Sequence, residues 1–250
     1  MNDKIINKNS YYRILSSLIL ITLSIFSLYI NGIFLISVLS ILIFIMSYEW
    51  IEITENINTF LLKFTKCIIN VGLFLLSLIS IKFSILFFII IFLLNVFSNN
   101  TVKVNKLFIT LGPIYICFPI IFLYQIRLLD KGLELILWFL LIVWATDIFS
   151  YICGKYYGGK KLWVSLSPNK TWSGFIFGIT AGTLISVLCF YIMNFNYLYG
   201  IYFGFALSLC TQLGDLLESW IKRTHSVKDS GKLIPGHGGI LDRLDGLMLS

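Results

Sequence analysis

Three polar islands interrupt a sequence that is otherwise apolar. The densest runs from Asp215 to Asp245 and carries Glu218, Ser219, Lys222, Arg223, Lys228, Asp229, His237, Asp242 and Arg243 around a Gly236-His237-Gly238-Gly239 turn. Carboxylates that converge near a glycine turn are the oxygen ligands Mg2+ takes while keeping water or phosphate in its shell. The basic residues among them suit a highly anionic substrate, because lysine and arginine make charge-assisted hydrogen bonds to phosphate oxygens. Two histidines with no cysteine beside them make a poor closed zinc site. If the apolar run before this island continues as a helix, Asp215, Glu218 or Ser219, and Lys222 stack on one face.

The second island is Asp147, set in the apolar stretch Trp144–Tyr151. A charge inside a membrane span is expensive and points to function; the alternative is a helix-end carboxylate reaching the interface. Ser150, Tyr151 and Gly154 lie three, four and seven residues on, so they share its face. The third island reads Gly154-Lys155, then Gly158-Gly159-Lys160-Lys161, then Ser167-Pro168-Asn169-Lys170-Thr171. Backbone N–H groups and ammonium groups together bind polyphosphate, and the next span would turn its positive N-terminal end toward an anion. A loop with only topogenic charge has the same composition.

The elements that position these islands follow from composition. Of the 250 residues 58% are hydrophobic and 12% charged, with mean hydropathy +0.90. A soluble domain carries roughly 25% charged residues, so the membrane is the solvent here. Eight continuous apolar runs are candidate spans: about 12–30, 32–48, 67–81, 83–98, 107–126, 132–152, 173–193 and 196–216. The third and fourth, separated by Lys82, form a tight helical hairpin or one bent element. Continuous rather than alternating hydrophobicity argues against a β-barrel. The expected fold is therefore an all-α, polytopic membrane bundle of about eight helices.

With the N-terminus in the cytoplasm, all but Lys82, Arg127 and Lys131 of the 19 basic residues fall in cytoplasmic segments, as the positive-inside rule requires. All three islands then face the cytoplasm. The net charge of +7 reads as topology plus affinity for anionic headgroups; with no basic soluble module, a nucleic-acid partner is not expected. The first apolar run follows a basic segment without a signal-type cleavage site and reads as a retained helix. Five dispersed cysteines with no CxxC pair read as small core residues. Glu49, Glu52 and Glu55, at helical spacing at the end of the second run, read as a solvated helix end in preference to a cation site. The division expected is 1–130 as scaffold with oligomer contacts and 131–250 as catalytic region.

The series Ser219-x2-Lys222-Arg223-x4-Lys228-Asp229-x5-Pro235-Gly236-His237-Gly238-Gly239-Ile240-Leu241-Asp242-Arg243-x-Asp245 resembles the signature of CDP-diacylglycerol synthases, the phosphatidate cytidylyltransferases. Ser167–Gly174 and the Asp147–Gly159 region are similar to two further motifs of that family. The resemblance implies transfer of CMP from CTP to phosphatidic acid at the inner membrane, with Mg2+ and K+ as a candidate second cation, and is compatible with a homodimer. It makes Asp215 and Asp242 the principal metal ligands. Lys222, Arg223, Lys228 and Arg243 would hold phosphates. Ser167, Lys170 and Thr171 would close over a phosphate or lipid head, with Ser219, Gly238 and Gly239 among the substrate-binding positions. Asp147, Asp229, His237 and Asp245 would serve metal, network or proton handling. The alternatives weighed are a CTP-dependent lipid kinase of the polyprenol or phytol type, which the signature disfavours, and an ion-coupled transporter, which the lack of internal repeats disfavours. The family runs on into a further apolar stretch, whereas this sequence ends five residues after Asp245, so only the first turn of a bracing helix is expected.

Overall fold

The computed structural model describes residues 19, 21–55, 57, 59–97, 103–231, 233 and 238–250. They form nine α-helices: α1 (Ile21–Ile30), α2 (Gly32–Thr54), α3 (Phe60–Ile79), α4 (Ile81–Phe97), α5 (Lys103–Arg127), α6 (Gly132–Tyr156), α7 (Trp172–Ile192), α8 (Tyr197–Thr224) and α9 (Leu241–Leu249). A two-stranded antiparallel hairpin, β1 (Lys161–Trp163) and β2 (Ser167–Thr171), lies between α6 and α7 in sequence. Eight apolar helices follow the expected order. Six of them are long and apolar enough to cross a membrane, while α1 and α4 are shorter. The chain is a multi-pass helical membrane protein.

One boundary differs from expectation, and one open alternative is resolved. Helix α3 starts at Phe60 rather than near 67, because Lys63 and Lys66 pair with Glu52 and Glu55 of α2; neutralised lysines no longer end the apolar element. Between α3 and α4 only Ser80 is extended, and Ser84 Oγ donates to the Leu73 carbonyl at 2.8 Å, which makes the pair a tight hairpin. Helix α9 starts at Leu241, ahead of Asp245, so residues 246–249 form the single turn expected after it.

The described chain divides into two compact units. One is the chain up to Gln125 with Asp229–Arg243; the other is Ile126–Lys228 with Leu244–Ser250. Residues 229–243, grouped with the C-terminal part from sequence, thus pack with the N-terminal helices. In that first unit Leu35, Leu39, Ile43, Met46 and Trp50 of α2 are buried, as are Cys67, Leu73 and Phe74 of α3 and Ile116, Cys117 and Ile120 of α5. Trp50 Nε1 donates to the Phe108 carbonyl at 3.1 Å. Its ring fills the space where a Cβ on Gly112 would stand.

The second unit is built on α6, α7 and α8. Gly174, Gly178 and Gly182 recur every fourth residue along α7, and a Cβ on Gly178 would stand 2.9 Å from the Thr146 carbonyl of α6. Small residues at this spacing let helix backbones approach, which is how apolar helices associate where no hydrophobic effect separates them from lipid. Trp138 Nε1 donates to Ser186 Oγ at 3.1 Å, and Ser186 Oγ donates to the Gly200 carbonyl at 2.7 Å. Such bonds average about 0.6 kcal/mol each in membranes, so close packing contributes most of the cohesion.

Candidate active site

The second unit brings several motif residues together. Thr171 ends β2 and caps α7: its Oγ1 accepts from Gly174 N at 3.2 Å and lies 3.0 Å from Ser173 Oγ. Ser173 Oγ donates to the Gly158 carbonyl at 2.5 Å, and Trp172 N donates to the Lys160 carbonyl at 3.1 Å. The strand end is thereby fixed from both sides. One residue before the cap, Lys170 places its Nζ 2.7 Å from Asp215 Oδ2 on α8. Thr171, expected to meet a phosphate, is buried and engages its hydroxyl in the cap. Ser167 is half-buried at the other end of β2, opposite Trp163.

Asp245 on α9 belongs to the same group. Its backbone carbonyl lies where a Cβ on Gly214 would stand, and the Cβ position of its neighbour Gly246 is 3.9 Å from Asp147 Oδ2. Burial, and then the negative charge of Asp215, push the Asp245 carboxyl up to about 8. Asp147 pushes the same way, while Gly246 N, which donates to Oδ1 at 2.8 Å, and Lys222 oppose the rise. Lys222 in turn pairs with buried Glu218 one turn earlier on α8, at 3.1 Å. Asp147, Lys170, Asp215, Lys222 and Asp245 therefore share one electrostatic neighbourhood. Among the described residues no three His, Cys, Asp or Glu side chains are gathered tightly enough to hold a metal by themselves.

The signature turn belongs to the first unit. Asp242 Oδ2 accepts from Ser230 N at 2.8 Å and Gly239 N at 2.9 Å. Gly238 has φ +83°, a conformation suited to glycine, and a Cβ there would meet Asp242 Oδ2 at 2.5 Å. The organiser of this turn is Glu49, which is 2% exposed. Its Oε1 accepts from Ile240 N at 2.9 Å; its Oε2 accepts from Leu241 N at 2.8 Å and Ser230 Oγ at 3.1 Å. The expectation of a solvated helix end therefore fails for Glu49. The sequence did hold a signal: Met46 and Ile53, three before and four after, are buried on the same face of α2.

The remaining candidates are less enclosed. Lys228, Asp229, Arg223 and Arg243 are exposed and Ser219 is half-buried. Arg223 Nη1 donates to the Val227 carbonyl at 3.2 Å. His237 lies outside the described residues.

The described residues make a multi-pass helical membrane protein in which motif lysines and carboxylates pair. The chain belongs to the cytidylyltransferase family, whose model matches residues 11–250. A phosphatidate cytidylyltransferase of Staphylococcus aureus (strain COL) is 37% identical over 226 residues, 84% of this chain and 86% of the relative. The enzyme of that name from Bacillus subtilis (strain 168) is 40% identical over 173 residues, 67% of this chain and 64% of the relative. That from Rickettsia conorii is 40% identical over 148 residues, 56% of this chain and 64% of the relative.

Proposed function

We propose that this enzyme transfers CMP from CTP to phosphatidic acid, forming CDP-diacylglycerol and pyrophosphate. The observation that carries the reading is the Lys170–Asp215 pair beside Asp147 and Asp245, which joins residues of separate motifs in one neighbourhood. The names of the relatives point the same way. A phosphate oxygen of phosphatidate attacks the α-phosphorus of CTP. A P–O bond forms there, the bond to the bridging oxygen breaks, and pyrophosphate leaves with the electron pair. Both reactants are anions, so catalysis rests on positioning and charge stabilisation rather than on a protein nucleophile. Lys170 and Lys222 supply fixed positive charge, and exposed Arg223, Lys228 and Arg243 are the cations for phosphate capture.

The side chains fit Mg2+. Asp147, Asp215 and Asp245 are hard oxygen donors that repel one another, and the Lys170 ammonium stands on Asp215 as a cation would. Asp215 is proposed as a metal ligand; so is Asp242, whose Oδ2 is oriented by two backbone N–H groups. Bound Mg2+ would neutralise phosphoryl charge and stabilise the leaving pyrophosphate. K+ as a second cation and a homodimer remain proposals from the family resemblance. The basic-residue bias supports a cytoplasmic site on the bacterial inner membrane.

The test uses protein purified in detergent with Mg2+ and phosphatidic acid, and CTP labelled in either the α- or the γ-phosphate. The expected result is α-label in the lipid and γ-label in pyrophosphate. Gamma-label in the lipid would mean a kinase. No lipid product, or full activity in Asp215→Ala and Asp242→Ala, would overturn the proposal.

A further inference from the structure

We infer that Glu49 is a positioning residue that holds the signature turn, and through it the Asp242 carboxylate, in working geometry. The functional half of this inference rests on the reading of Asp242 as a metal ligand.

A helix leaves its first N–H groups without intrahelical partners. At α9 those of Ile240 and Leu241 go to the two oxygens of Glu49, which stands 191 and 192 residues earlier in the chain. Glu49 therefore acts as a cap supplied by another helix. Ser230 extends the network: its hydroxyl donates to Glu49 Oε2 and accepts from Asp242 N at 3.3 Å, while its own N–H donates to Asp242 Oδ2. Glu49, Ser230 and Asp242 thus form one hydrogen-bonded unit, with Glu49 and Ser230 buried. A Cβ on Gly239 would fall on Ser230 Oγ and Glu49 Oε2, so the chain passes as closely to the carboxylate as a residue can. Glu52 and Glu55 on the same helix pair with Lys63 and Lys66 instead. Of these three glutamates, Glu49 is the one bonded to the described part of the turn, and its position sets where the Asp242 carboxylate stands.

Glu49→Gln offers an amide –NH2 where Glu49 had an acceptor, so at least one turn donor loses its partner. The test measures two properties of the detergent-purified enzyme: hydrogen–deuterium exchange of peptides covering 238–243, and the Mg2+ dependence of CMP transfer. Loss of a hydrogen bond to a charged acceptor should speed exchange at Ile240 and Leu241 about tenfold and raise the half-saturating Mg2+ concentration about tenfold. Excess Mg2+ should restore most of kcat. Glu52→Gln, on the same helix, should change neither property. Should Glu49→Gln fail to fold, Ser230→Ala cuts the link while leaving Glu49 and should shift both properties the same way, by less.

Unchanged exchange and Mg2+ dependence in a folded Glu49→Gln would overturn the inference. So would a loss of kcat that excess Mg2+ does not restore, since that marks a purely structural role. Asp242→Asn with wild-type Mg2+ dependence would instead overturn the reading of Asp242. The exchange data would then still report whether Glu49 holds the turn.

Discussion

In the Asp147–Asp215–Asp245 group, carboxylates face one another and a lysine; in the turn of residues 229–243 they face backbone N–H groups. The two regions hold negative charge by opposite means. Asp215 is balanced by one ammonium at 2.7 Å, and Asp245 rises to about 8 because its burial and its acidic neighbours outweigh its donors. Glu49 accepts three hydrogen bonds and Asp242 Oδ2 accepts two. A group balanced by a single side-chain ammonium can exchange it for a metal cation and changes state when one arrives. A group saturated by fixed dipoles is already in its final arrangement.

The comparison breaks most readily at Asp215. Asp215→Asn keeps shape and removes charge, so it should lower kcat by about 10³-fold, the scale of losing a principal electrostatic contact in a transition state. Retained activity would mean that the repelling group is not where charge develops. Lys170→Met sharpens the same point. Removing a fixed cation should lower kcat about 10²-fold, yet Mg2+ should bind the nucleotide-free protein more tightly, because the ammonium no longer competes for Asp215. Weaker Mg2+ binding in that variant would show that Lys170 builds the site rather than holding a cation's place.

A smaller effect should appear in stability against pH. The Asp245 carboxyl ionises near 3.8 when unfolded and at about 8 when folded. Between these values the folded state holds a proton that the unfolded state has lost, so metal-free stability should fall as pH rises through this window and level off above it. Asp245→Asn should flatten the slope. Mg2+ favours the ionised group, so its stabilising effect should grow over the same range. Thermal midpoints at pH 5.5 and 8, with EDTA or Mg2+, test both; a wild-type midpoint in EDTA that does not fall with pH would contradict the assignment.

The same contrast explains what the sequence made legible. Long apolar runs and a lone Asp147 in one of them speak for themselves, as do lysine and glycine beside the start of α7. Contacts made across a few residues are also readable, as Lys222 with Glu218 shows. The apolar neighbours of Glu49 on its helix face signal burial, but its partners are opaque, because they lie 181 to 192 residues away and are mostly backbone N–H groups, which carry no residue signature. The start of α3 was hidden in the same way, since nothing local shows that Lys63 and Lys66 are neutralised from α2. Thr171 stands among phosphate-binding residue types, yet its position decides its role, because a threonine before a helix caps first.

The three glutamates of α2 give the finest test of the distinction. Glu52 is 43% exposed at its side chain and pairs with Lys63 near the end of the helix. An exposed pair contributes about 0–1 kcal/mol, so Glu52→Gln should shift the thermal midpoint barely and leave kcat and Mg2+ dependence unchanged. Glu55 is less exposed, at 7%, with Lys66 at 36%, so Glu55→Gln should destabilise somewhat more and again leave Mg2+ dependence alone. These ion pairs join α2 to α3, whereas Glu49 joins α2 to the turn, and only the latter contact should register in the chemistry. A Glu52→Gln or Glu55→Gln variant that shifted the Mg2+ dependence as far as Glu49→Gln would erase the difference. It would make the whole end of α2, rather than one buried carboxylate, the element that sets the turn.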